Sequence, residues 1–310
     1  MPAQDWVQWR HQARQQAQSQ AIDPVEVDRL LEWAGWSRLQ QLQGIPPQVG
    51  SEQVSPEQVS PEQVSPDSRA VLTRQATVPD LWHQRMTQRI PLQYLMGEMV
   101  WRDLVLTVAP GVLIPRPETE LLIDVVQTWL IDRPPADPQW WVDLGTGTGA
   151  IAIALARSCP TLRVVAVDIC PMAMAIATAN IQRYELESQI KVVQGSWFEP
   201  LGSWAGQLSG LVSNPPYIPS AEVDQLQPEV RLHEPRLALD GGPQGTEILH
   251  HLIETAPGYL APGSLWLSEV MVDQANWVCE TLRQTHRYDQ VQSHLDLAGI
   301  PRLVSARFRG

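Results

Sequence analysis

The sequence predicts an α/β fold, in which a parallel sheet carries helices on both faces, preceded by a smaller helical region. After residue 117, helical and strand patterns alternate, which is typical of a doubly wound parallel sheet. A glycine-rich loop at residues 145–149 follows a buried strand and opens a helix. The first ninety residues show mainly helical spacing of their apolar side chains. These observations indicate two regions with different folds.

The N-terminal region is predicted to be a helical domain at residues 1–91. Its first helix follows Asp5, a suitable N-cap, and repeats apolar side chains every three or four residues at Trp6, Trp9, Ala13 and Ala17. The second begins at Asp23-Pro24, a capping residue followed by proline, and ends at Gly35. The third runs from Pro79-Asp80 to Pro91.

A low-complexity segment interrupts this helical domain. Residues 55–64 read Ser-Pro-Glu-Gln-Val twice, and partial copies lie on either side. A period of five matches no face of a helix or strand, and the recurring prolines prevent a helix from continuing. We expect a disordered loop at about residues 44–68, expanded by duplication. A docking peptide is the alternative interpretation of this segment.

Residues 92–111 are predicted to form a β-hairpin linker. Apolar side chains alternate with their neighbours here, and Arg102-Asp103 can form the turn. Residues 112–310 then form the α/β domain. Its predicted helices are Glu118–Ile131, Gly149–Ala156, Pro171–Tyr184 and Gln274–His286. Its predicted strands are Trp140–Asp143, Arg163–Val167, Ile190–Gln194, Leu208–Ser213, Ser264–Val270 and about Arg302–Phe308.

Composition excludes several classes of protein. The chain has 310 residues, 44% of them apolar, and its longest apolar stretch is too short to span a membrane. The N-terminus has no secretory signal and the three cysteines form no CxxC pair, so we expect a cytoplasmic protein with free thiols. The seven histidines form no HxxxH pattern, and no metal site is predicted. Residues 91–310 carry a net charge of −10, which argues against a nucleic-acid backbone as direct partner.

The glycine loop predicts a nucleotide site. It reads Gly145-Thr146-Gly147-Thr148-Gly149 and lies between a strand and a helix, where the backbone can approach a ligand closely. Asp168 ends the next strand, and its carboxylate can accept hydrogen bonds from ribose hydroxyls. The G-x-G-x-G spacing differs from a pyrophosphate-binding fingerprint. By itself, this pattern fits either a nicotinamide dinucleotide or S-adenosylmethionine.

A second motif, Asn214-Pro215-Pro216-Tyr217, follows the strand Leu208–Ser213 directly. Ligands bind at the carboxyl ends of strands in such sheets. Two prolines remove N–H donors, so the loop offers carbonyl acceptors, and Asn214 adds a side-chain carbonyl. Two acceptors and the ring of Tyr217 suit a planar NH₂ group. Holding its hydrogens would aim the nitrogen lone pair at an electrophile, for which a methyl sulfonium is the implied donor.

The chain resembles the HemK/PrmC family of protein-(glutamine-N5) methyltransferases, which modify peptide chain release factors. The resemblance covers most of the chain. It is carried by Pro91–Tyr94, Gly97-Glu98, Gly111–Glu120, Asp143–Ala150, Asn214–Pro219, Glu234-Pro235, Ala238-Leu239, Gly241-Gly242 and Asp296–Gly299, the last of which looks like the closing strand of the family. The NPPY motif is shared with methylases of adenine and guanine amino groups, so it indicates only the reaction class. The Pro-Arg-Pro-Glu-Thr-Glu run at residues 115–120 is more specific.

The resemblance implies a seven-stranded, Rossmann-like class I methyltransferase sheet with a helical N-terminal domain that helps to dock the substrate. It implies that Gly145 to Gly149 line a site for S-adenosylmethionine, that Asp168 holds its ribose and that Trp197 lies by its adenine. Asn214 would touch both methyl donor and substrate, and Asn214 to Tyr217 would hold the glutamine of a Gly-Gly-Gln loop in class I release factors. An amino-methyltransferase acting on nucleic acid is the alternative.

Overall fold

The computed structural model describes residues 3–34, 77–131, 133 and 139–310, which divide into two compact units. The first, the N-terminal unit, comprises Met1–Glu98 and Pro228–His233. The second, the sheet unit, comprises Met99–Gln227 and Glu234–Gly310. The predicted loop at 44–68, with its pentapeptide repeats, and the predicted helix end at Gly35 lie outside the described residues. No helix in the described ranges is both long and apolar enough to cross a membrane.

The N-terminal unit is helical, as predicted. Its helices are α1 (Ala3–Ser19), α2 (Val25–Trp33), α3 (Val78–Gln88), α4 (Leu92–Met96) and, from later in the chain, α9 (Pro228–His233). The predicted apolar positions of α1 are buried at Trp6, Ala13 and Ala17. Helix α3 begins slightly before Pro79, because Thr77 and Asp80 form a reciprocal capping box.

Ion pairs hold α9 within this unit. Arg85 is only 4% exposed, and its side chain donates to both carboxylate oxygens of Glu26, at 2.6 and 3.0 Å, and to Glu229 in α9 at 2.8 Å. Arg89 also pairs with Glu229, at 2.7 Å. Burial opposes charge on Arg85, but the two carboxylates outweigh that cost and raise its pKa. Helix α9 is therefore anchored by charge, and none of its residues is buried.

The sheet unit contains the predicted seven-stranded sheet, in the order β5-β4-β3-β6-β7-β9-β8. Its strands are β3 (Gln139–Leu144), β4 (Leu162–Asp168), β5 (Ile190–Gln194), β6 (Leu208–Ser213), β7 (Leu260–Glu269), β8 (Tyr288–Leu295) and β9 (Pro301–Phe308). Strands β3 to β7 are parallel, while β9 is antiparallel to β7 and β8. This confirms the predicted fold class.

Helices cover the faces of this sheet, and apolar clusters fill the space beneath them. The helices are α5 (Leu121–Ile131), α6 (Ala150–Ser158), α7 (Pro171–Arg183), α8 (Ser220–Val223), α10 (Glu247–Thr255) and α11 (Ala275–Gln284). One core lies between the sheet and α5 and α6, and a second between the sheet and α10 and α11. The central strand β3 contributes to both, because alternate residues point to opposite faces.

The predicted hairpin forms a separate two-stranded sheet, β1 (Glu98–Trp101) and β2 (Leu104–Thr107). Its two-residue turn places Trp101 and Leu104 on one buried face, and Val100 is consequently 71% exposed. The side chain of Asn180, in α7, bonds both backbone groups of Thr107 at 2.8 and 3.1 Å. These bonds attach the second strand of the hairpin to the sheet unit.

Five of the named elements were not predicted, namely α4, which occupies the start of the predicted hairpin linker, α8, α9, α10 and β8, and one assignment was wrong. Strand β8 at the edge of the sheet is mostly polar, and its apolar residues Tyr288, Val291 and Leu295 form neither a continuous run nor a strict alternation. Helix α10 carries apolar residues at helical spacing, among them Leu249, Leu252 and Ile253, which is a helix signal in the sequence. The segment Asp296–Gly299, which resembles a closing strand, is instead the turn between β8 and β9. The Asp296 carboxylate accepts bonds from Ala298 and Ile300 and closes this turn.

Candidate active site

A cavity of about 280 Å³ opens at the carboxyl ends of the central strands of the sheet unit. The chain proceeds from β3 to β4 on one side and later returns to β6 on the other, so the cavity lies at the topological switch point. Among its lining residues are Val112, Pro115, Thr119, Gly145, Thr146, Gly147, Thr148, Asp168, Ile169, Ser196, Trp197, Asn214, Pro216, Leu237 and Asp240. The glycine loop and the NPPY loop thus share one cavity.

The glycine loop is held by backbone and carboxylate contacts. Gly149 has φ +82°, and a Cβ there would lie 3.4 Å from Ala177, so a side chain would strain the turn into α6. Asp143 is fully buried, and its Oδ2 accepts bonds from the Thr146 hydroxyl at 2.6 Å and from the Ala152 amide at 3.2 Å. Burial raises the pKa of Asp143 to about 7. The two hydrogen bonds to this buried carboxyl stabilise the glycine loop.

Asp168 lines the cavity and also supports the same loop. Its Oδ2 accepts from the Gly147 amide at 2.9 Å, and its Oδ1 accepts from the Cys170 amide at 2.9 Å. Burial raises its pKa, and these backbone donors oppose that shift. Each carboxylate oxygen can accept more than one hydrogen bond, so Asp168 retains capacity for hydroxyl donors in the cavity.

Trp197 lies against the glycine loop at the cavity wall. Its ring is about 3.8 Å from the position of a Cβ on Gly145, an ordinary contact distance, and the φ of +75° at Gly145 is what favours glycine there. Ser196 and Ile169 line the same part of the cavity, and Ile169 is 49% exposed. Together these side chains form a largely apolar wall beside Asp168, suited to a flat heterocycle.

The four residues of the NPPY loop take different positions. Asn214 and Pro216 line the cavity, whereas Pro215 is buried. Tyr217 packs against the sheet core, and its hydroxyl donates to Glu269 at 2.9 Å. Burial, followed by the charge of Glu269, raises the Tyr217 pKa above its usual range. Among the described residues, no donor reaches Asn214 Oδ1 or the carbonyl oxygens of Pro215 and Pro216, so none of these acceptors is engaged within the protein.

Contacts distant in sequence fix the course of the NPPY loop. The side chain of Gln274 donates to the carbonyls of Tyr217 and Gly245, at 2.9 and 3.0 Å. The Ile218 amide donates to the Leu239 carbonyl, and the Ile218 carbonyl accepts from the Gly241 amide. A Cβ on Gly241 would lie 2.7 Å from Tyr217 Cα, so only glycine permits this close approach. The loop therefore has little freedom to move.

A chain of hydrogen bonds connects Asn214 to a buried carboxylate. Asn214 Nδ2 donates to Thr119 Oγ1 at 3.1 Å, and Thr119 in turn donates to Glu269 Oε2 at 2.7 Å. Glu269 ends strand β7 and is 2% exposed. Burial raises its pKa, while the hydroxyls of Thr119 and Tyr217 favour its charged form.

Arg116, in the same Pro-Arg-Pro-Glu-Thr-Glu run as Thr119, forms an ion pair. Its Nη2 lies 2.5 Å from Oε1 of Glu234, and the other Glu234 oxygen accepts from the Ile114 amide at 3.1 Å. Glu118 is exposed. The run therefore forms part of the site wall, and Arg116 and Thr119 fasten it through two different carboxylates.

The comparisons with known proteins agree with this geometry. The family model "Methyltransferase small domain" matches residues 118–231. A "Release factor glutamine methyltransferase" of Synechocystis sp. is 43% identical, over 98% of this chain and 96% of its own length. A relative with the same name in Gloeobacter violaceus is 41% identical, over 96% of this chain and 94% of its own length.

The chain belongs to the release factor glutamine methyltransferase family. Among solved structures, the hMettl16 catalytic domain in complex with a MAT2A 3'UTR hairpin has a TM-score of 0.54 and 15% identity. The match covers 79% of this chain and 83% of that chain, and it supports the methyltransferase fold.

Several site residues of this methyltransferase were not found by sequence reasoning. Glu269 and Gln274 are 52 and 57 residues from Tyr217, which they contact, and Thr119 is 95 residues from Asn214. Long-range contacts of this kind leave no local pattern. The resemblance did include Thr119 and Glu234 within its matching segments, but it gave no role to either.

Proposed function

We propose that this protein transfers a methyl group from S-adenosylmethionine to the side-chain amide nitrogen of the glutamine in the Gly-Gly-Gln motif of class I peptide chain release factors. The observation that carries the proposal is that the free acceptors of Asn214 and the NPPY loop share one cavity with the glycine loop and Asp168. The names of the two cyanobacterial relatives support the substrate.

The cavity residues fit S-adenosylmethionine. The glycine loop from Gly145 to Gly149 leaves room that side chains would fill, and Asp168 can accept from ribose hydroxyls. Trp197, Ser196 and Ile169 form the wall for the adenine. When bound, S-adenosylmethionine supplies a methyl group made electrophilic by a positively charged sulfur.

The chain's own residues would hold and activate the glutamine amide. An amide nitrogen is a weak nucleophile because its lone pair is delocalised. Asn214 Oδ1 and a carbonyl of the NPPY loop would accept its two hydrogens, which stabilises positive charge on nitrogen during attack. The new N–C bond forms as the C–S bond breaks, the electron pair stays on sulfur, and one amide proton leaves afterwards. No strong base is required from the protein.

The test is methyl transfer from labelled S-adenosylmethionine to a purified release factor, beside its Gly-Gly-Ala variant and a duplex nucleic-acid control. We expect label on the unmodified factor alone. Asn214→Ala should lower the rate by at least about 10²-fold, because the transition state loses one acceptor, with little change in cofactor affinity. Label on nucleic acid or on the Gly-Gly-Ala variant would contradict the proposed substrate.

The proposal includes a docking role for the N-terminal unit and a reaction in the cytoplasm. All three cysteines are free, which suits a reducing compartment. The negative charge of residues 91–310 supports a protein partner over direct binding to nucleic acid.

A further inference from the structure

The side-chain amide of Asn214 can act as an acceptor only in one of its two flipped orientations. With Oδ1 toward the cavity, it accepts a hydrogen from the substrate amide. With Nδ2 toward the cavity, two NH₂ groups would face each other and repel. Rotation by 180° about the final side-chain torsion changes the shape of the residue very little. Packing alone therefore does not select the orientation, and hydrogen bonding must.

The protons in the cluster around Glu269 decide the orientation. An ionised carboxylate donates nothing, so each hydroxyl that contacts Glu269 must direct its single proton to it. Thr119 lies 2.7 Å from Oε2 and Tyr217 lies 2.9 Å from Oε1. With its proton engaged, Thr119 presents only lone pairs to Asn214. The Asn214 atom 3.1 Å away must then be the donor, Nδ2, which leaves Oδ1 free.

The Glu269 carboxylate contacts the hydroxyls of Thr119 and Tyr217 in the described part of the chain. No Arg, Lys or His within the described ranges forms a salt bridge with Glu269. The charge of Glu118 raises the pKa of Glu269, and the charge of Arg302 lowers it. Arg302 itself pairs with Asp296 at 3.2 Å. The hydrogen bonds from the two hydroxyls favour the charged form of Glu269. In that form the carboxylate takes the proton of Thr119, and Thr119 then accepts a hydrogen from Asn214.

We propose that Thr119 and Glu269 are positioning residues that fix the acceptor orientation of the Asn214 amide. This inference rests on the proposed function, since it assigns a use to that orientation. Glu269 acts only through the hydroxyls and does not line the cavity. Thr119→Val keeps the shape and removes the hydroxyl, whereas Thr119→Ser keeps the hydroxyl. Glu269→Gln introduces a donor that can reverse the direction of the chain.

The kinetic arm measures kcat and KM for the release factor, and the Kd of S-adenosylmethionine by calorimetry. Thr119→Val and Glu269→Gln should each lower kcat by about 10²-fold while both binding constants stay within about threefold, because binding remains and orientation is lost. Thr119→Ser should restore most of the rate. The double variant should lose no more than the worse single variant, because both residues act on one amide. Thr281→Val, whose hydroxyl bonds only within α11, is the matched control.

A second arm reads the orientation without any substrate. The chain has three asparagines, Asn180, Asn214 and Asn276, so ¹⁵N-asparagine labelling gives three side-chain amide pairs. Asn180 is buried and bonded to Thr107 and Thr148, and provides a protected reference, while Asn276 is exposed. In the unmodified protein one Asn214 amide proton should exchange slowly with water. Thr119→Val should accelerate that exchange by at least about tenfold, and Thr119→Ser should not.

The two arms separate the possible failures. Unchanged kcat and unchanged Asn214 exchange in Thr119→Val would overturn the positioning role. A fall in kcat without faster exchange would overturn it as well, because Thr119 would then act by another route. If the unmodified protein fails to methylate a release factor but shows the protected Asn214 proton and its loss in Thr119→Val, the orientation is supported and the proposed substrate is wrong.

Discussion

Glu234 and Glu269 are two buried carboxylates that fasten the same segment of the sheet unit in opposite electrostatic settings. Glu234, with a side chain 2% exposed, is neutralised by Arg116 and also bonds the Ile114 amide. Glu269, equally buried, contacts two hydroxyls and no partner of opposite charge among the described residues. One site contains a balanced ion pair and the other an unbalanced charge.

The two settings suit different roles: the ion pair of Glu234 anchors a loop, and Glu269 sets the direction of a hydrogen bond. An ion pair stabilises a loop well, but a guanidinium has five donors and imposes no single direction on its neighbours' protons. A carboxylate that faces only hydroxyls must receive one proton from each, and this sets the direction of the bond from Asn214. Such a carboxylate lowers the stability of the fold, because its charge is buried without a counter-ion. We expect stability to depend more on Glu234 and catalysis more on Glu269.

Asp143 is a third buried carboxyl, and like Glu269 it forms no ion pair among the described residues. A substitution there tests whether such a carboxyl makes the free energy of unfolding depend on pH. The pKa of Asp143 is raised to about 7, so the folded chain binds this proton more tightly than the unfolded chain does, and stability falls as pH rises from about 4 to 7. Asp143→Asn removes this dependence. Relative to the unmodified protein, the variant should gain about 4 kcal/mol in free energy of unfolding between pH 4 and pH 8. Urea unfolding across this range is the measurement, and parallel curves would contradict it.

Glu234→Gln tests the anchoring half of the comparison. The amide can still accept from Ile114, but Arg116 loses its charged partner, so the free energy of unfolding should fall by about 2 kcal/mol at pH 7.5. Asp103→Asn is the matched control, because its pair with Arg157 is 68% and 42% exposed. We expect that control to lose less than about 0.5 kcal/mol. Equal losses in the two variants would show that burial of Glu234 adds nothing.

Glu269→Gln should change stability in the direction opposite to that of Glu234→Gln. Burial raises the pKa of Glu269, so its ionisation lowers stability once pH exceeds the unfolded value. The free energy of unfolding of Glu269→Gln, relative to the unmodified protein, should therefore rise from pH 4 to pH 8. Urea unfolding of both proteins at these two pH values measures this. A loss as large as that of Glu234→Gln would remove the distinction between the two carboxylates.

The parts of the site that follow one another in sequence could be predicted, and those assembled from distant residues could not. The glycine loop and the NPPY motif each lie within a few residues of a strand end, so their chemistry is local. The partners Thr119 and Glu269 are 150 residues apart. Likewise, the apolar runs of β3 to β7 indicated a parallel sheet, whereas the edge strand β8 is mostly polar and contains no such run.

Helix α9 has a consequence for how this protein can be divided. The chain leaves the sheet unit after Gln227, contributes six residues to the N-terminal unit and returns at Glu234. A gene fragment for residues 1–98 would leave Arg85 without Glu229, and one for residues 99–310 would leave Glu229 without Arg85. The N-terminal unit therefore cannot be produced with this ion pair from residues 1–98 alone.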